Sequence, residues 1–88
     1  MQTRVAVIGI IIENRDSIEM LNKIISEYSE YIIGRMGIPR HRKKISIISL
    51  SIDAPQDVIS ALTGRIGSLN GISVKTAYSN MLFDDEDI

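Results

Sequence analysis

Five of the chain's ten lysine and arginine residues fall within ten positions, Arg35 to Lys44, in the stretch GRMGIPRHRKK. The only histidine, His41, lies among them, and no acidic residue interrupts the run. Cations at that density can neutralise phosphates, with binding that weakens steeply as salt rises. Arg40, Arg42, Lys43 and Lys44 are therefore the candidate nucleic-acid contacts. No helix-turn-helix, ribbon-helix-helix or zinc module accompanies them, and Tyr28, Tyr31, Tyr78 and Phe83 form no base-stacking platform in strand centres. The same run also suits a solvated tip between two strands.

The second constellation is ENRDS, Glu13 to Ser17, between an apolar run and a helical pattern. Backbone N–H groups at a helix start favour an anion, and Arg15 adds a charge-assisted bond. Asn14, Arg15, Asp16 and Ser17 are the candidate ligand-binding residues, against the alternative of an ordinary capped turn.

Residue supply argues against other chemistry. A metal site needs several convergent ligands, and the chain has one histidine and no cysteine, so no metal is expected. Ser46, Ser49 and Ser51 fall at strand positions that read as solvent-facing, with no base beside them, so no catalytic residue is assigned and no enzyme is expected. The pairs GRMG (34–37) and GRIG (64–67) lack the strand–turn–helix setting of a nucleotide loop, and no cofactor is expected.

The elements that must carry these residues read clearly. Eighty-eight residues make one domain. Apolar residues are 44% of the chain and isoleucine dominates, which favours strands. Net charge is −1, so no overall field draws the chain to DNA or an anionic membrane. Acidic residues interrupt the first apolar run, no cleavage pattern follows, and no segment has the length of a membrane span. A cytoplasmic protein without membrane contact is the expectation.

RVAVIGIIIE (4–13) is apolar on both alternating faces and reads as a strand needing cover on both sides. Asp16 with Glu19 has capping-box spacing, and Ile18, Leu21, Ile24, Ile25 and Tyr28 predict a helix over about 16–28. Strands follow at 30–38 and 45–53, the first interrupted by Gly34 and Gly37. Asp53 is the expected cap of a second helix whose stripe is Val58, Ile59, Leu62, Ile66 and Leu69, with Gly64 expected to permit a close packing contact. Asn70-Gly71 turns the chain into a last strand at 72–79. Residues 1–80 then form one domain, and 81–88, ending DDEDI, an acidic frayed tail.

The order β-α-β-β-α-β predicts an α+β, ferredoxin-like sandwich: a four-stranded antiparallel sheet with two helices on one face. Helices cover only one face, yet the first strand is apolar on both. A homo-oligomer, dimer or tetramer, assembled through the sheet is the expectation.

The segments SEYSEYIIGRMGIP, DAPQDVISALTGRIG and LNGISVKT, within a match over about residues 2–76, resemble the small proteins called iron-only hydrogenase system regulators. The resemblance implies an ACT-like fold, shared with the C-terminal sensor domain of nickel-responsive repressors, and assembly through the sheet. It implies a transcriptional regulator of the iron-only hydrogenase system, with a small-molecule ligand between subunits. The histidines and cysteine of the nickel sensors are missing, so nickel binding does not carry over. ENRDS keeps Asn14 and Arg15 of the ACT ligand turn but lacks its glycine. No DNA-binding extension is present, so contact with DNA would come through a partner protein or through the basic loop of an oligomer.

Overall fold

The structure is a computed structural model and describes residues 2–38 and 44–84. Strand β1, Gln2–Ile12, alternates as its sequence requires. Ala6, Ile8, Ile10 and Ile12 are buried on one face, while Val7 and Ile11 stay 48% and 42% exposed on the other. Branching at Cβ suits these residues to the pleat. Three further strands, β2 (Ile32–Ile38), β3 (Ser46–Ala54) and β4 (Ile72–Tyr78), complete an antiparallel sheet in the order β2-β3-β1-β4. The expected ferredoxin-like topology is the one observed.

Helix α1, Ile18–Glu27, and helix α2, Gln56–Gly67, lie on the side of the sheet facing Ile8 and Ile10. Leu21, Ile24 and Ile25 of the first helix and Ile59, Leu62 and Ile66 of the second join Ile48, Leu50 and Ile52 of β3 in one core. Each fully buried aliphatic side chain contributes about 1.5–3 kcal/mol relative to exposure. Arg65 ties the helices together, with Nη1 2.6 Å from Glu27 Oε2 and the guanidinium 5.8 Å over the Tyr28 ring. Hydrogen bonding to Tyr28, then to Glu27, holds Arg65 above its ordinary pKa.

Several local expectations are corrected. Asp16 does not cap the first helix: Asn14 Oδ1 accepts from the Asp16 N–H at 3.0 Å, starting a 3-10 turn over Arg15–Ser17. The short Asn side chain reaches the N–H two residues on before Asp16 can act. Asp53 does not cap the second helix, because β3 continues through it, pairing Val5 with Asp53 and Arg4 with Ala54. Pro55 takes the N-cap position instead, at φ −58° and ψ 151°. Strand β2 begins at Ile32 because Ser29–Tyr31 forms a 3-10 turn closed by Tyr31 N–H donating to the Tyr28 carbonyl at 3.0 Å. A bulge between Ile32 and Gly34 then adds one residue to β2 opposite β3. Gly64 serves no close packing contact; a Cβ there would meet nothing within 4 Å.

Of the expected tail, 81–88, residues 85–88 lie outside the described residues. Phe83–Asp84 forms a two-residue strand, β5, antiparallel to Gln2 and Thr3 of β1. At the same end of the sheet Arg4 stacks 4.3 Å over the Tyr78 ring and donates from Nη1 to Gln56 Oε1 at 2.8 Å. Gln56 Nε2 in turn donates to Tyr78 Oη at 2.9 Å and to Ser60 Oγ at 3.0 Å. This network joins the start of β1 to the end of β4 through the first turn of α2.

Candidate functional site

The Glu13–Ser17 turn is built as a rigid corner. Glu13 N–H donates to the Gly71 carbonyl at 2.7 Å, and Ser17 Oγ donates to the Asn70 carbonyl at 2.7 Å. Ser17 is buried, Asn14 is half-buried, and Arg15 and Asp16 are exposed. The four residues proposed for ligand binding are thus together, but two of them use their polar atoms within the turn. The Asn14 oxygen takes the Asp16 N–H, and the Ser17 hydroxyl closes the contact with the 70–71 turn.

Of the basic cluster, Lys44 is exposed in a left-handed conformation, φ +61°. Arg40, Arg42 and Lys43 lie outside the described residues, as does His41. Among the described residues no group of three or more His, Cys, Asp or Glu side chains could hold a metal ion. No helix among them is long and apolar enough to cross a membrane.

Besides a depression of about 400 Å³ lined by Asp16, Glu19, Met20 and Lys23, two features among the described residues could recognise something. The first is the sheet face turned away from the helices. Register places Ile38, Ile47 and Ile11 in one row across β2, β3 and β1. Val7 and Met36 extend the apolar surface, with Met36 69% and Ile38 48% exposed. Ser49 and Ser51 of β3 and Lys75 of β4 are interspersed, opposite Gly9 or Val7 on β1.

The second is a cleft of about 230 Å³ between α1 and the β2–β3 pair. Ile12, Ile18 and Ile48 supply apolar wall, while Asn22 of α1 and Arg35 of β2 stand beside it, bonded Nη2 to Oδ1 at 2.8 Å. Arg35 lies inside the basic run singled out by sequence. Its place here follows from register: it pairs with Leu50, on the helix-covered face. The bulge hides that register, because counting alternation from Ile32 assigns Arg35 to the wrong face.

Comparison with known proteins agrees with this architecture. Among curated proteins nothing matches the chain. The structure of the uncharacterized protein TM1266 from Thermotoga maritima superimposes with a TM-score of 0.82 at 30% identity, covering 86% of this chain and 96% of that one. Two more distant likenesses concern the fold alone. A formyltetrahydrofolate deformylase from Pseudomonas putida matches at TM-score 0.57 and 11% identity, over 89% of this chain but 29% of its own. The apo form of CPII, a nitrogen regulatory PII-like protein from Thiomonas intermedia, matches at 0.53 and 10% identity, over 96% and 98%. The TM1266-like family, described as "Iron-only hydrogenase system regulator, putative", matches residues 4–76. The chain belongs to that family, the TM1266-like iron-only hydrogenase system regulators.

Proposed function

We propose that this chain is a non-enzymatic regulatory domain that works as a homo-oligomer in the cytoplasm, within transcriptional control of the iron-only hydrogenase system. The observation carrying this reading is the open sheet face. Five apolar side chains, Val7, Ile11, Met36, Ile38 and Ile47, form a patch interspersed with Ser49, Ser51 and Lys75 that no element covers among the described residues. A monomer seldom leaves such a patch to water, and a self-complementary face closes most simply around a two-fold axis. Family membership supplies the regulatory context. Contact with DNA, in this reading, is left to a partner protein.

Methionine oxidation tests the face directly. Met36 on the open face is 69% exposed and Met20 on α1 is 48% exposed in the single chain. Peroxide attacks accessible thioethers, so a lone chain oxidises Met36 at least as fast as Met20. An assembled protein is expected to reverse that order at high concentration and to restore it on dilution. Faster oxidation of Met36 at every concentration would contradict assembly through this face.

A further inference from the structure

We infer that the cleft between α1 and the β2–β3 pair is a binding site for a small monocarboxylate with a branched or straight apolar body. This goes beyond assembly: Arg35 and Gly37 lie on the helix side of the sheet, although Ile38 and Ile47 of the lining also belong to the open-face patch.

Three observations meet there. The wall is largely aliphatic, from Ile12, Ile18 and Ile48 with Ser46 among them, so it favours a mostly hydrocarbon body. Among the described residues Arg35 is the one charged side chain lining it, and Asn22 Oδ1 accepts from its Nη2. The remaining N–H groups match the two oxygens of a carboxylate. Gly37 is the third observation. Its φ is not in the left-handed region, and a Cβ there would meet only the Ile47 carbonyl at 3.8 Å and Ile48 Cγ1 at 3.9 Å. Neither backbone conformation nor packing demands glycine at this position. The missing side chain leaves the cleft open beside Arg35.

The lining also says what is excluded. Among the described residues no aspartate or glutamate borders the cleft. An α-ammonium group would meet no carboxylate among the described lining residues, so an amino acid gains less there than the matching carboxylic acid. The volume, about 230 Å³, lies below the roughly 300 Å³ at which drug-sized pockets begin. The ligand class is therefore a short carboxylic acid without an amino group, rather than an amino acid or a nucleotide.

Titration calorimetry on the full chain decides this with two probes of one carbon skeleton, 4-methylpentanoate and leucine. The expected result is saturable binding of 4-methylpentanoate at about 1 mM or tighter, with leucine at least about tenfold weaker. Arg35→Gln, an exposed position, is expected to weaken 4-methylpentanoate by at least about tenfold while the circular dichroism spectrum stays unchanged. Gly37→Leu fills the cleft and should abolish binding; if it fails to fold, Arg35→Gln carries the decision. Val7→Asp, on the other face of the sheet, should leave affinity unaltered, which separates failure of this site from failure of assembly. No saturable binding of 4-methylpentanoate, equal binding of leucine, or full affinity in Arg35→Gln would each overturn the assignment.

Discussion

Alanine at position 71 is expected to destabilise this domain by about 3 kcal/mol, although it adds one methyl group at a surface turn. Gly71 sits at φ +72°, where an L side chain is strained. A Cβ built there would lie 2.5 Å from Asn14 Cβ and 3.0 Å from Asn14 N. Neither turn can move away cheaply. Glu13 N–H is bonded to the Gly71 carbonyl, Ser17 Oγ to the Asn70 carbonyl, and Asn14 Oδ1 to the Asp16 N–H. Relief of the clash therefore breaks the corner that joins β1 to α1. Urea unfolding of Gly71→Ala checks this, with Gly64→Ala as the contrast. Position 64 is inside α2 with nothing within 4 Å of a Cβ, so alanine there should stabilise by about 0.5–1 kcal/mol. A loss below about 1 kcal/mol at position 71 would mean that the two turns slide apart more easily than their bonding indicates.

The second large effect is expected from Val7→Asp. Val7 stands on β1 between the two neighbouring strands, opposite Ser51 on β3 and Ala77 on β4. In a single chain it is 48% exposed, so an aspartate there meets water and costs the fold little. Between two sheets the same carboxylate loses its water beside Ser51 and Ala77, with Lys75 as the diagonal cation that offsets part of the cost. An uncompensated buried charge costs about 3–5 kcal/mol, so a partly compensated one costs less per copy, and a two-fold interface carries the substitution twice. The expected outcome is a variant with native circular dichroism, cooperative unfolding and the mass of one chain. An unchanged assembly would place the interface elsewhere than on the centre of the open face.

The sheet was legible because its information is local and periodic. Alternation in β1 and β3 sets each face directly: Ile48, Leu50 and Ile52 are buried as their spacing predicts, and β1 shows apolar residues on both sides. Helix ends were less legible because several residues competed for one cap. Asn14 preceded Asp16 in reach, and strand pairing held Asp53 before it could turn to the helix. The β5 pairing depends on β1 and a segment about eighty residues away, with no periodic signal in two residues. The cleft was hidden for a related reason. Arg35 reads as one cation among five until the bulge at Ile32/Gly34 resets the register and turns it to the helix side. Gly37 reads as a backbone requirement until its ordinary conformation shows that only the missing side chain matters.

The most direct test of assembly through the open sheet face is the mass of the unmodified protein in solution, by sedimentation equilibrium over a wide concentration range. One chain weighs 9.8 kDa. The expected result is a whole multiple of that mass, a dimer or tetramer, which Val7→Asp reduces to the single chain. A mass of one chain at every concentration, with Val7→Asp indistinguishable from the unmodified protein, would contradict the account.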